Sequence, residues 1–314
     1  MPQSDAIAFG KYRLVELLGR GGMAEVWRAQ TEGPGGFTRT VVIKRILGAY
    51  ARDARFVDLF FREARVSARL HHANVAQVFD FGEVGGEWFL AMEYLDGRDL
   101  GGLIATLNGP LPVGLGAFVV RELCRALAYV HSASDDDGAP LGLVHRDVSL
   151  SNVMLCFDGA VKLLDFGVAK AVNVMTVGIA TPQTLVGKPS YMAPELLAGR
   201  RIDHRADVYG AGIVLYEALT GRRLFFGELE QLLDHNERAQ PLPPPSRTNP
   251  RVDVALDRIF RRATAYDPLE RYRSADEMLA EIDEVVHSHR AGPEALAALL
   301  REAFPREGRK PSTG

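Results

Sequence analysis

The stretch VHRDVSLSN, residues 144–152, gathers polar side chains between two apolar segments of the chain. Its central group is the carboxylate of Asp147, and the amide side chain of Asn152 follows five positions later. Two uncharged hydroxyl side chains, Ser149 and Ser151, lie between them. A carboxylate and an amide in one loop fit several chemistries, so the meaning of this stretch depends on the motifs on either side of it.

A second carboxylate follows the loop at the end of an apolar strand, in LLDFG, residues 163–167. An Asp at such a strand end can hold a magnesium ion, and the glycine two positions later permits a sharp turn. Asp165 is therefore a candidate metal ligand. The segment that begins at Asp165 ends in YMAPE, residues 191–195.

A glycine-rich turn, GRGGMAEV, occupies residues 19–26 near the start of the chain. Because Gly19, Gly21 and Gly22 have no side chains, their backbone N–H groups can come close to phosphates. Glycine-rich hairpin turns also occur without any ligand, and Ala24 replaces the third glycine of the usual spacing. The turn therefore gains its meaning from the residues that follow.

A lysine, Lys44, ends the apolar strand VVIK. A lysine at a strand end usually points into solvent, so a binding role requires a carboxylate partner. Glu63, in the next predicted helix and on the side of its apolar stripe, is the candidate. An ion pair between the two would fix the ammonium for contact with the α- and β-phosphates of a nucleotide.

The pattern of predicted elements divides the chain. Residues 10–95 read as strands with one helix, because β-branched runs alternate with glycine turns. From Gly97 onward, long and largely apolar helical stretches indicate a larger helical unit, residues 96–289, followed by a helix and tail, residues 290–314. The expected fold class is α+β.

Composition narrows the class of protein. A net charge of −3 argues against a nucleic-acid binder held by bulk charge, and no apolar run approaches the length of a membrane span. Cys124 and Cys156 lie in apolar surroundings, which favours buried free thiols in a reducing compartment. The N-terminal segment lacks the regions of a signal peptide. The expected location is cytoplasmic.

The joint order of these motifs is very hard to obtain by chance: glycine turn, strand lysine, helix glutamate, HRD with Asn, DFG and APE. Over roughly residues 10–289 the chain resembles a eukaryotic-type (Hanks-type) serine/threonine protein kinase domain of bacterial character. The resemblance implies a two-lobed fold, with a small, mainly β N-lobe containing one key helix and a larger, mainly α C-lobe. It also implies ATP between the lobes, Mg²⁺ or Mn²⁺, and protein hydroxyl groups as acceptors. In this pattern Arg271 pairs with Glu195.

The resemblance assigns a role to each matched residue. Lys44 and Glu63 form the ion pair, and the turn glycines cover the phosphates. Asp147 accepts the hydroxyl proton, while Asn152 and Asp165 bind magnesium. Contacts with adenine are implied for Val26, Val42, Met92, Glu93, Leu95 and Met154.

The chain departs from the family pattern at two positions. Ser149 replaces the lysine that normally steadies the transferring phosphate, and Lys188 replaces the threonine that normally contacts that lysine and the catalytic Asp. A hydroxyl and an ammonium have thus exchanged places. We predict that Lys188 lies beside Ser149 and supplies the missing positive charge. The alternative is that Lys188 faces solvent and Ser149 is a neutral loss.

Regulation by phosphorylation is a further expectation. Arg146 precedes the catalytic Asp, and a phosphate could neutralise its charge while ordering the loop. Thr184 occupies the position of the main activating threonine, with Thr181 and Thr176 as alternatives. Self-association for autophosphorylation is the corresponding partner expectation.

Two other functions remain open from the sequence. A pseudokinase scaffold, which binds nucleotide without turnover, is favoured by Ser149, Lys188 and Ala24, whereas the retained motif residues weigh against it. A small-molecule phosphotransferase of related fold would lack a segment ending in APE, so GKPSYMAPE argues against it. That segment is also closer to the serine/threonine form than to the tyrosine form.

Overall fold

The computed structural model describes residues 6–21, 24–51, 53–164, 188–225 and 240–305. It divides into two compact units. The first unit comprises Met1–His72 and Ala76–Leu95, and the second comprises Ala73–Val75 and Asp96–Gly314.

The first unit is built on a six-stranded antiparallel sheet with strand order β1-β2-β3-β4-β6-β5. Gly85 and Gly86 both adopt positive φ between the last two strands, at one of the glycine turns that the sequence predicts. The N-terminal strand was not foreseen. The strands are β1 Ile7–Phe9, β2 Tyr12–Arg20, β3 Ala24–Glu32, β4 Thr38–Ile46, β5 Val78–Val84 and β6 Glu87–Glu93.

Two helices follow β4, namely the short α1, Gly48–Ala51, and α2, Ala54–Arg69. The apolar stripe predicted for α2 is buried at Phe60 and Ala64, which pack against Val42 and Met92 of the sheet. This packing places the helix that contains Glu63 on the face of the sheet from which Val42 projects.

The second unit is mainly helical and carries a small three-stranded sheet of order β7-β8-β9. The long helical stretches expected from the sequence are present. The elements are β7 Gly97–Asp99, α3 Leu100–Leu107, α4 Val113–His131, β8 Val153–Cys156, β9 Val161–Leu163, α5 Pro194–Leu197, α6 Arg205–Thr220, α7 Val254–Ala263, α8 Ala275–His289 and α9 Pro293–Ala303.

Helix α6 is the centre of the second unit, and all its residues except Arg205 are buried. Close packing depends on its glycines. A Cβ on Gly210 would lie 2.9 Å from Val148 of the VHRDVSLSN loop, and one on Gly212 would lie 2.6 Å from Thr264. Two carboxyl groups, Asp207 and Glu217, are buried on this helix although it is otherwise largely apolar.

The predicted ion pair of Glu195 with Arg271 is confirmed. Arg271 makes two hydrogen bonds of 2.7 Å to the carboxylate, and its side chain is fully buried. Its Nε also donates to the carbonyl of Ala265 at 2.8 Å. A buried guanidinium requires such complete satisfaction, so this pair fixes the end of the APE segment against the helical core.

The C-terminal helix α9 packs on the second unit through buried Leu296, Ala297 and Leu300, and it contacts α3. Phe304, just beyond it, meets the ring of Phe157 edge to face at 6.4 Å. Among the described residues, no helix combines the length and apolarity that crossing a bilayer requires.

Candidate active site

The VHRDVSLSN loop is anchored by one buried carboxylate. Asp207 accepts the backbone N–H groups of His145 at 2.7 Å and Arg146 at 2.8 Å. His131, at the end of α4, lies 2.8 Å from the same carboxylate through Nε2. The anchor holds a strained backbone, since Arg146 adopts φ 65°, a conformation that side chains with a Cβ rarely take.

The environment of Asp207 decides its charge. Burial by itself raises the pKa of this carboxyl, but the hydrogen bond from His131 lowers it, together with the electrostatic influence of the His131 and His145 rings and the hydrogen bond from the His145 backbone N–H. The net result is a pKa below the ordinary value. Asp207 therefore holds the loop as a charged acceptor.

His145 connects the loop to the strand that precedes Asp165. Its Nε2 donates to the carbonyl of Leu164 at 2.8 Å, and its Nδ1 accepts the N–H of Asp147 at 3.3 Å. A neutral ring with its proton on Nε2 satisfies both bonds. Leu164 also donates its N–H to the carbonyl of Asn152 at 2.8 Å, so the two motifs are held side by side.

Asp147 and Asn152 are in direct contact. The amide Nδ2 of Asn152 donates to the carboxylate of Asp147 at 2.6 Å and to its backbone carbonyl at 2.8 Å. Since the NH₂ group faces Asp147, the amide oxygen is the atom available to a metal ion. Asp147 is 8% exposed, so a nearly buried carboxylate is oriented by a neighbouring amide.

Lys188 lies beside the same loop, as its sequence position predicts. Its ammonium Nζ is 3.4 Å from Ser149 Oγ and also donates to Ser151 Oγ. Ser149 is fully buried, whereas Ser151 is exposed. Lys188 lines one pocket together with Asp147. The proximity is therefore present in the structure, and the catalytic role remains a prediction.

The segment that carries Lys188 is tied to α6 by a second buried carboxyl group. The hydroxyl of Tyr191 donates to Glu217 at 2.5 Å, and the N–H of Leu224 donates to the same side chain at 3.3 Å. Burial raises the pKa of Glu217, and these two donors with the charges of Arg223 and Lys188 only partly oppose that rise.

The first unit groups the residues expected to hold a nucleotide base. In the sheet register Val26 lies opposite Lys44, and Val42 lies opposite Met92. Val42 and Met92 are buried in one cluster against which Val26 packs, and Lys44 is half-buried. A lysine on the same face as these apolar side chains is poorly solvated, so its ammonium is well suited to bind an anion.

Gly19 and Gly21 of the glycine turn lie at the end of β2 and just beyond it. Gly21 donates its N–H to the carbonyl of Ala24 at 2.9 Å, and a Cβ on Gly19 would meet no atom within 4 Å. Glu93 is the last residue of β6, and its backbone N–H donates to the carbonyl of Gln77 at 2.9 Å. Leu95 lies two residues further along the chain. Met154 belongs to β8 in the second unit.

Several predicted residues fall outside the described part of the structure. These are Gly22, Asp165, Thr176, Thr181 and Thr184, and the side chain of Glu63. Their assignments remain predictions.

Three residues of the site were missed by sequence reasoning: Ser151, Tyr191 and Glu217. Ser151 had a signal, because it lies two positions from Ser149 in an irregular loop. The contact of Tyr191 with Glu217 joins residues 26 positions apart on separate elements, and nothing in the spacing indicates it.

A scan against protein-family models matches residues 12–292 to the protein kinase domain. The chain belongs to the protein kinase family. Membership implies the use of ATP and a divalent metal ion, and it confirms the family predicted from the order of motifs.

Curated relatives extend this result. The chain is 37% identical over 310 residues to the tyrosine-protein kinase MasK of Myxococcus xanthus, a match covering 95% of this chain and 47% of that protein. It is 34% identical over 297 residues to the serine/threonine-protein kinase PknB of Mycobacterium leprae, covering 93% and 45%. The kinase chain thus spans less than half the length of these relatives.

A solved structure confirms the predicted α+β kinase fold. The kinase domain of Mycobacterium tuberculosis PknI matches with a TM-score of 0.67 and 31% sequence identity, covering 90% of this chain and 99% of that chain. The sheet unit is the N-lobe of this fold and the helical unit is the C-lobe.

Proposed function

We propose that the chain is an active protein kinase that transfers the γ-phosphate of ATP to serine and threonine hydroxyl groups of proteins. The observation that carries this proposal is the contact between Asp147 and Asn152, since it orients a carboxylate and an amide oxygen at one point. Family membership and the retained Lys44 and Asp165 support it.

Asp147 is the proton acceptor in this proposal. The amide of Asn152 holds one carboxylate oxygen, so the other can accept the proton of the attacking hydroxyl. Two hydrogen bonds fix the position of the carboxylate. The backbone N–H of Asp147 donates to the ring of His145, and the backbone N–H of His145 donates to Asp207. The protein therefore contributes mainly positioning and charge, as phosphoryl transfer requires.

The nucleotide and metal assignments follow from the residues present. Lys44, paired with Glu63, would contact the α- and β-phosphates, and the turn glycines would cover them. Asn152, through its amide oxygen, and Asp165 would hold magnesium, or manganese as a substitute. A metal ion bound there would neutralise phosphate charge. In the first unit the adenine would lie against the cluster formed by Val26, Val42 and Met92, with the backbone of Glu93 and Leu95 along its edge. Met154 of the second unit is the other residue proposed to contact it.

The acceptor residue is the finer part of the proposal. PknB of Mycobacterium leprae is named a serine/threonine kinase, and the segment GKPSYMAPE is closer to that form. MasK is named a tyrosine-protein kinase and is 37% identical. Tyrosine phosphorylation is therefore the second candidate.

Regulation and setting complete the proposal. Phosphorylation of Thr184, or of Thr181 or Thr176, would activate the kinase through the charge of Arg146, with self-association permitting transfer between copies. Mass spectrometry of active enzyme without any phosphate between residues 165 and 195 would contradict this. The buried free thiols Cys124 and Cys156 favour a cytoplasmic setting.

We further propose the lobe boundaries 10–95 and 96–289, with residues 290–314 as a C-terminal helix and tail. The location of α9 against α3 supports a packed helix in the last segment. Truncation after residue 289 should lower thermal stability if the helix is integral to the C-lobe.

One experiment separates the candidate functions. The kinase is incubated with γ-labelled ATP, magnesium and a general protein substrate, and the labelled protein is hydrolysed to phosphoamino acids. Phosphoserine and phosphothreonine support the proposal, and phosphotyrosine supports the second candidate. Nucleotide binding without any transfer indicates a pseudokinase scaffold instead.

A further inference from the structure

The catalytic loop of this kinase contains no cation between its base and its metal ligand. From Val148 to Ser151 the side chains are aliphatic or hydroxylic. Phosphoryl transfer spreads negative charge over the oxygens of the moving group, and fixed positive charge is the main means of stabilising it. A cation from another element would supply the charge that the loop itself lacks near the γ-phosphate.

The segment before the APE motif brings an ammonium group to this loop. Lys188 Nζ lies 3.4 Å from Ser149 Oγ and donates to Ser151 Oγ. Because Ser149 is fully buried and Ser151 is exposed, the ammonium lies at the border between the loop interior and solvent. A lysine that merely faced solvent would contact neither the buried Ser149 nor the pocket that Asp147 lines.

The backbone of Lys188 is fixed independently of its side chain. Tyr191 donates its N–H to the carbonyl of Lys188 at 3.0 Å and its hydroxyl to Glu217 at 2.5 Å. The flexible stem of the lysine thus starts from a position tied to α6. Two hydroxyl groups then restrict its ammonium, which lowers the entropy that must be lost when it binds an anion.

We propose that the Lys188 ammonium, held by hydrogen bonds to the hydroxyl groups of Ser149 and Ser151, contacts the γ-phosphate during transfer and replaces the loop cation that this chain lacks. The inference rests on the proposed function and names the residue that completes it. Ser149 and Ser151 are positioning residues that act through the lysine.

The chemical step balances without any further reactant. The acceptor hydroxyl oxygen forms a bond to the γ-phosphorus while its proton passes to Asp147. The bond from the γ-phosphorus to the bridging oxygen breaks, and ADP leaves with that electron pair. Lys188 remains protonated throughout and stabilises charge on the γ-oxygens.

The test compares Lys188→Met with the wild-type kinase for kcat, for the KM of ATP and for thermal unfolding. Removing one electrostatic donor should lower kcat by roughly 10²-fold, the scale measured for oxyanion donors, with the KM of ATP within about threefold. Lys188→Arg keeps a charge and should retain part of the activity. Lys11→Met, which removes an exposed lysine of the first unit, is the control and should leave kcat unchanged.

Exchange of the two residues distinguishes catalysis from folding. The double variant Ser149→Lys with Lys188→Thr should recover at least about tenfold of the kcat lost in Lys188→Thr, a coupling expected only between residues in contact. Ser151→Ala should lower kcat by about threefold to tenfold, because one of the two hydroxyl groups that accept a hydrogen bond from Lys188 is lost.

The outcomes separate the two proposals. Wild-type kinase that binds ATP but transfers no phosphate overturns the proposed function and this inference together. Active wild-type enzyme with an unchanged kcat in Lys188→Met overturns only the inference. A double variant no better than Lys188→Thr, with unaltered thermal unfolding, overturns it as well.

Discussion

Two buried carboxyl groups on helix α6, Asp207 and Glu217, anchor the two segments of the candidate active site, and their pKa values shift in opposite directions. Each is 1% exposed. Asp207 accepts two backbone N–H groups and the ring of His131, and its pKa falls below the ordinary value although burial raises it. Glu217 receives one phenol and one longer N–H bond, and burial keeps its pKa above the ordinary value.

The difference shows that donors, and not burial alone, decide whether an interior carboxyl group stays charged. The catalytic loop is fixed by a charged acceptor, which tolerates no loss of its donors. The segment that carries Lys188 is fixed by Glu217, a carboxyl group whose pKa is raised by burial. We therefore expect this anchor to be the weaker of the two and to weaken further as the pH rises.

The largest expected effect is that of Asp207→Ala. The change leaves two backbone N–H groups and His131 without their acceptor, and each unsatisfied buried donor costs about 1–3 kcal/mol. We expect the free energy of unfolding in urea to fall by more than about 3 kcal/mol, with loss of kcat because Arg146 leaves its strained conformation.

If Asp207→Ala does not fold, Asp207→Asn tests the same anchor with a smaller expected loss of stability, since the amide oxygen of asparagine can still accept one of the hydrogen bonds. Wild-type stability in either variant would show that the loop does not depend on this anchor.

A smaller effect is expected for Glu217→Gln. An amide has nearly the shape of a protonated carboxyl group, and its oxygen can accept the hydroxyl of Tyr191. We expect a loss of less than about 1 kcal/mol in the free energy of unfolding, the worth of one ordinary hydrogen bond. A loss equal to that of Asp207→Asn would contradict the contrast between the two anchors.

The pH dependence of stability is the most delicate test. The lowered pKa of Asp207 contributes stability above its unfolded value near 3.8, and this contribution is lost as the pH falls through the folded value. The raised pKa of Glu217 contributes stability that is fully present below its unfolded value near 4.5 and is lost as the pH rises through the folded value.

Urea denaturation of each variant across this range should therefore show opposite trends. The deficit of Asp207→Asn should shrink toward acid pH. The deficit of Glu217→Gln should shrink as the pH rises above about 4.5, because the amide has no proton to lose. Parallel curves for the two variants would contradict the opposite directions of the two pKa shifts.

The parts of the site that depend on residues close together in the chain could be predicted from the sequence. The loop with Asp147 and Asn152 and the two glycine turns could be predicted, because local spacing and residue type decide them. The exchange of Ser149 and Lys188 was also predictable, since each residue departs from the family pattern in a complementary way.

The two anchors on α6 differ in this respect. Asp207 begins the sequence DVYGAG, residues 207–212, yet its contact with His131 joins residues 76 positions apart. Glu217 sits in an apolar helix and looks like an ordinary surface charge until the packing of Tyr191 is known. Burial and long-range hydrogen bonds arise only from the folded arrangement, which local patterns do not encode.

The central claim, that Asp147 accepts the hydroxyl proton in a working kinase, is tested most directly by Asp147→Asn. Phosphate transfer and ATP affinity are measured on the same preparation, with Asp136→Asn in an exposed turn as the control. The account predicts a kcat lower by roughly 10²- to 10⁴-fold, the contribution of a general base, with the Kd of ATP within about threefold of wild type. Turnover within a few-fold of the wild-type kinase would contradict it.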